Sequence, residues 1–127
     1  MTDCRLSISS RGNGWESNTV QSAKLSIDGD RARVEYKIDG DDCTFELRPA
    51  RAEQVRRGSV NIRMAFVPGG KTACMLGDDD IRGGYEIFTT RLDCTIKSHG
   101  FNAVIEYLSG DDRERVCVKL RALALGK

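Results

Sequence analysis

Arg115-Val116-Cys117-Val118-Lys119-Leu120-Arg121-Ala122 alternates apolar and polar residues without a break. Side chains on a strand point to opposite faces in turn, so Val116, Val118, Leu120 and Ala122 share one face. Arg115, Cys117, Lys119 and Arg121 share the other. Working back toward the N-terminus, the same phase returns in Phe101, Ala103, Ile105 and Tyr107, which end at the turn Ser109-Gly110-Asp111-Asp112. It returns again in Tyr85 and Ile87, in Leu92, Cys94 and Ile96, and in Val60, Ile62, Met64 and Phe66. Cys43, Phe45 and Leu47, then Ala32, Val34, Tyr36 and Ile38, then Ala23, Leu25 and Ile27 carry it further, and the first strand buries Cys4, Leu6 and Ile8. Between these runs lie turns such as Asp28-Gly29-Asp30, Asp39-Gly40 and Pro68-Gly69-Gly70, whose residues tolerate positive φ. Residues 50–57 are rich in helix formers, but two turns of helix are marginal alone, so the segment reads as a strand ending at Arg57-Gly58. The count is about ten strands at regular spacing with tight connections, an antiparallel meander. Closing a meander removes its two exposed edges, so an all-β, up-and-down barrel is expected ahead of a two-sheet sandwich.

The 127 residues suffice for a single domain over 1–127 with one sizeable core. Twenty basic and nineteen acidic residues nearly cancel, which argues against nucleic acid or anionic membrane as the main partner. No stretch approaches the ~20 apolar residues of a membrane helix. The start Met1-Thr2-Asp3-Cys4-Arg5-Leu6 has no basic run and no long apolar run, so an export signal is not expected. Five cysteines (Cys4, Cys43, Cys74, Cys94 and Cys117) with no close pair suit neither a disulfide framework nor a zinc site. A cytoplasmic protein with reduced thiols is expected.

The order and spacing of three features resemble the YwiB-like family of small bacterial calycin-like (lipocalin-like) barrels. They are Arg57-Gly58, then Met64-Ala65-Phe66 with Gly69-Gly70, then the strand from Phe101 to Tyr107 with its Gly110 turn. The resemblance spans about Cys4 to Leu120 and implies a closed or nearly closed antiparallel barrel of lipocalin type. The family has no established ligand or reaction, so no chemistry comes with it.

A barrel of this size either fills with its own side chains or encloses a small ligand. Apolar walls with a few phenolic hydroxyls are usual in small-molecule sites, which makes Met64, Phe66, Tyr85 and Tyr107 candidate lining residues. The plain alternative is that they pack the core. Arg57 and Arg63 are candidate partners at the mouth for a negative group, because guanidinium binds oxyanions bidentately. They belong to a basic segment, residues 48–71, that equally suits a solvated surface or a partner for the acidic residues of 28–42. Exposed aromatics that would stack bases are not interleaved with those arginines.

Cys117 lies between Arg115 and Lys119 on the polar face, where cations favour thiolate, but no resolving cysteine or base is near in sequence. His99 reads as a turn residue and Asp78-Asp79-Asp80 as a solvated turn lacking the spacing of a calcium loop. Trp15 is expected to plug the barrel end, with a mobile lid as the alternative. Phosphate loops, catalytic carboxylate pairs and metal-ligand clusters are missing from the sequence. The expectation is a non-catalytic protein without cofactor or metal that binds a small apolar or amphipathic anionic ligand inside the barrel. The alternative is a solid barrel that docks a protein or RNA through its arginine-rich face. A homo-oligomer is compatible with either.

Overall fold

A computed structural model describes residues 1–77 and 82–126. The ten strands are β1 (Thr2–Gly12), β2 (Trp15–Asp28), β3 (Arg31–Ile38), β4 (Asp41–Arg48), β5 (Arg51–Arg57), β6 (Ile62–Phe66), β7 (Lys71–Gly77), β8 (Arg82–Lys97), β9 (Gly100–Ser109) and β10 (Glu114–Ala124). Each pairs antiparallel with its neighbour in sequence, and β1 pairs with β10, so the sheet closes into an up-and-down barrel. Residues 51–57 form β5, opposite β4 and β6. Ladder hydrogen bonds and burial of Ala52 outweigh the helix propensity of Ala, Glu, Gln and Arg there. The turn containing Asp78-Asp79-Asp80 lies outside the described residues.

The inward phase is the apolar one throughout. Leu6, Val34, Phe45, Leu47, Phe66, Ile87 and Ile105 are sealed, and the stack Phe45–Phe66–Tyr107 runs through the interior with centroid separations of 6.2 and 5.2 Å. Cys4, Cys43 and Cys74 are buried and all five cysteines are free. β8 carries a bulge between Thr89 and Arg91, which restores the inward phase at Leu92 after an odd step. The hydroxyl of Thr89 is sealed in the interior beside this bulge with no hydrogen-bond partner.

At the end marked by the chain termini, Cys4, Leu47, Phe101 and Ala122 are buried, and Ile27, Cys94, Ile96 and Ala124 are partly exposed around them. At the other, the β3–β4 turn uses left-handed Asp39 and Gly40 (φ 50° and 85°), and the β5–β6 turn is anchored by the buried Asp41. One carboxylate oxygen of Asp41 accepts from the Ser59 N–H at 2.8 Å, and the other accepts from the Val60 N–H at 3.1 Å and Arg56 Nε at 2.8 Å. Those donors, the Ser59 N–H foremost, hold its carboxyl far below the usual carboxylate range. Gly58 sits directly on this carboxylate; a Cβ there would come within 2.1 Å of Asp41 Oδ1, so the turn closes only with glycine.

Trp15 lies at this end on the inward phase of the β1–β2 ribbon, opposite Gly12. Its indole lies over Gly12, where a Cβ would come within 2.4 Å of the ring, and it is 42% exposed. Its Nε1 donates to Glu114 at 3.3 Å, tying the β1–β2 hairpin to the start of β10. The missing Cβ at Gly12 gives the ring a seat on the ribbon itself, at the rim of this end.

Candidate functional site: the open end of the barrel

Inward-phase residues toward the Asp41 end are only partly buried: Ile8 and Ser10 on β1, Ile38 on β3, Gln54 and Arg56 on β5, Ile62 on β6, Leu76 on β7 and Val118 on β10. Among the described residues, these side chains face the barrel axis and pack, partly exposed, on the core, outlining a shallow bowl at this end. Met64 and Tyr107 are 6% and 9% exposed and form its floor, with Cys74 fully buried beside them. Tyr85 stands opposite Cys74 on the β7–β8 ladder and is 38% exposed.

Three of the four expected lining residues therefore share this end: Met64, Tyr85 and Tyr107. Phe66 is 1% exposed and lies between Phe45 and Tyr107, so it supports the floor from beneath and does not line the bowl. The two arginines expected at the mouth lie at this end but on the outer face. Arg57 and Arg63 occupy the outward phase, where they line a shallow external groove with Arg33, Glu46 and Glu53. Period two explains the error: Arg56, one residue before Arg57, is the side chain that turns inward. The adjacent arginines concealed this, because a run of like residues carries no phase of its own.

Arg56 is opposite Cys43, which is opposite Tyr36, so these three form a register row across β5, β4 and β3. Gln54, two residues before Arg56 on the same face, donates to Tyr36 Oη at 3.4 Å. Burial pushes the Tyr36 phenol up to about 12 and that of Tyr107 further still, so both remain neutral donors across the physiological range. Beside this row, β2 and β3 part company beyond the pair Lys24↔Glu35. The opening forms a groove of about 820 Å³ in the barrel wall, with Tyr36, Cys43 and Ala23 on its floor and Lys24, Lys37 and Asp42 on its rim.

Several outer basic residues are matched by carboxylates, either across a ladder or two residues along the same strand. Arg33 pairs with Glu46 and Glu35, Arg63 and Arg51 with Glu53, and Lys37 with Asp42. Cys117 is half-buried on the outer phase, and His99 is an exposed turn residue whose carbonyl accepts the Ala124 N–H. Among the described residues, no three His, Cys, Asp or Glu side chains group as around a metal ion, and no helix is long and apolar enough to cross a membrane.

Comparison with protein-family models and with curated proteins found no match. Among solved structures, the barrel is similar to the crystal structure of the YwiB protein from Bacillus subtilis. The TM-score is 0.84 at 14% sequence identity, over 98% of this chain and 93% of that one. At that identity the likeness concerns the fold: the order of strands and the closure of the barrel.

Proposed function

We propose that this protein binds a small apolar or amphipathic molecule, without catalysis, in the bowl at the Asp41 end of the barrel. The observation that carries the reading is the mixed lining of the Asp41 end. Partly exposed, inward-facing Ile8, Ile62, Leu76 and Val118 surround Met64 and Tyr107 there, and the inward phase also carries Tyr36, Gln54 and Arg56. Partly exposed apolar side chains on a concave wall with a few convergent polar groups are the usual make-up of a small-molecule site. Apolar contact there favours binding by roughly 25 cal/mol per Å² removed from water.

Kinship with the YwiB-like family, and through it a calycin-like (lipocalin-like) assignment, accords with the shared fold and with the residue spacing around Arg57-Gly58 and Met64-Ala65-Phe66. Five free cysteines accord with a reducing, cytoplasmic setting. The rival reading, a macromolecular partner on the arginine-rich face, is weakened by the carboxylates that already pair Arg33, Arg51 and Arg63.

Native mass spectrometry of freshly purified protein, compared with its denatured mass, tests the proposal. A stoichiometric extra mass of a few hundred daltons or less, lost on denaturation, is expected. A bare mass that persists after incubation with apolar and amphipathic compound libraries would overturn it.

A further inference from the structure

Arg56 is the one cation on the inward phase among the described residues, and its side chain is only 18% exposed. One of its donors, Nε, is committed to Asp41. Asp41 is in turn filled by the donors of Ser59 and Val60, so it has little left to offer the rest of the guanidinium. A guanidinium carries five N–H donors. The terminal nitrogens of Arg56 make no hydrogen bond among the described residues and are not sealed from solvent, since the one sealed, unpartnered side-chain atom is Thr89 Oγ1. They therefore keep donor capacity at the Asp41 end, within reach of solvent.

The groups beside them are donors as well. Gln54 Nε2 has a second N–H beyond the one it gives Tyr36, and Tyr36 accepts that bond, which leaves its own O–H to donate. The inward-facing carboxylate of Glu114 is on β10 and is held by the Asn13 N–H and Trp15 Nε1, both at 3.3 Å. The β5 wall is thus rich in donors, and the Asp41 pair fixes the guanidinium plane before anything binds.

We propose that Arg56, with Tyr36 and Gln54, is an oxyanion site. It would hold the negatively charged head group of an amphipathic ligand whose apolar body lies over Met64 and Tyr107. This inference rests on the ligand-binding reading above and adds the class of ligand and the residue that selects it. A planar fork with free terminal nitrogens suits a carboxylate or sulfonate, and charge-assisted bonds of this kind are about twice as strong as neutral ones.

The test uses two fluorescent probes that share an apolar arylamine body, anilinonaphthalene sulfonate and the uncharged phenylnaphthylamine. They are titrated into the wild-type chain, Arg56→Gln and Arg56→Lys. The expected result is that Arg56→Gln weakens the sulfonate by about tenfold or more, the worth of one charge-assisted hydrogen bond, and leaves the uncharged probe unchanged. Arg56→Lys restores part of the sulfonate affinity. The unchanged uncharged probe also certifies that the bowl of the variant is intact. Equal losses for both probes, or no loss for either, would overturn the role of Arg56 while leaving ligand binding in place. Failure of both probes to bind the wild-type chain would instead overturn the binding reading itself, and this inference with it.

Discussion

Replacing Phe66 by Ala tests whether the interior beneath the bowl is as tightly packed as the geometry states. The ring is 1% exposed, lies parallel to Phe45 within 5° at a centroid separation of 6.2 Å, and meets Tyr107 at 5.2 Å. Truncating a fully buried Phe costs ~3–5 kcal/mol, because transfer free energy is lost and the surrounding barrel relaxes only partly into the cavity. Each aromatic pair adds ~0.5–1.5 kcal/mol beyond area burial, which places the expected loss near the upper part of that range. With a urea m-value of ~2 kcal/mol per molar, the midpoint falls by ~2 M. A domain with total stability of ~5–15 kcal/mol survives this at low temperature but sits close to unfolding. The assay is urea denaturation followed by far-ultraviolet circular dichroism, with equal m-values required before midpoints are compared. A fall of less than ~0.5 M would show instead that Phe66 borders empty or wet space and that the bowl reaches deeper than Met64 and Tyr107.

Thr89→Val exchanges the sealed, unpartnered hydroxyl for a methyl of similar shape, and removal of an unsatisfied buried group is expected to raise stability by ~1 kcal/mol; a lower melting temperature would show that an ordered water satisfies it. Gly58→Ala places a Cβ within 2.1 Å of Asp41 Oδ1 at a φ of 154° and should destabilise by ~1–3 kcal/mol. Gly14→Ala, with nothing within 4 Å, should lose less, and equal melting temperatures for the two variants would contradict the Asp41 anchor. The Asp41 carboxyl titrates well below its unfolded value of 3.8, so the stability it confers is present above that pH and is lost as pH falls through 3.8 and below. Asp41→Asn should accordingly flatten the acid side of the stability curve, and an unchanged slope between about pH 4 and 2 in urea titrations would refute the assignment.

The strands were legible because a half-buried strand writes its own geometry into the sequence. Val116 to Ala122, Ala32 to Ile38 and Val60 to Phe66 each alternate, and the turns between them carry residues that accept positive φ. Even residues 51–57 could be read, since a short helix there would have nothing to hold it. Facing is harder to read where the code is degenerate. Arg56 and Arg57 are identical in type, and only the register Cys43↔Arg56 states which one enters the barrel. The Asp41 anchor was invisible for a different reason. Its donors, Ser59 and Val60, are eighteen and nineteen residues away, and no local pattern announces a buried carboxylate that spans them. The seat of Trp15 likewise depends on Gly12 across a hairpin, a close approach that sequence spacing does not display. Phe66 and Tyr107 share the inward phase equally; their different depths follow from strand stagger, which appears only once the sheet is closed.

An apolar molecule entering the barrel at the Asp41 end would be reported directly by the methionine methyl groups. The chain holds three methionines. Met64 is on the floor of the bowl at 6% exposure, Met75 is on the outer face at 41%, and Met1 is at the chain start at 61%. Methyl-labelled methionine is followed by NMR while phenylnaphthylamine is added. The expected result is a saturable shift of the Met64 signal, enlarged by the ring current of the probe, with Met75 and Met1 unmoved. A shift of Met75 with Met64 stationary, or no shift at any concentration, would contradict it.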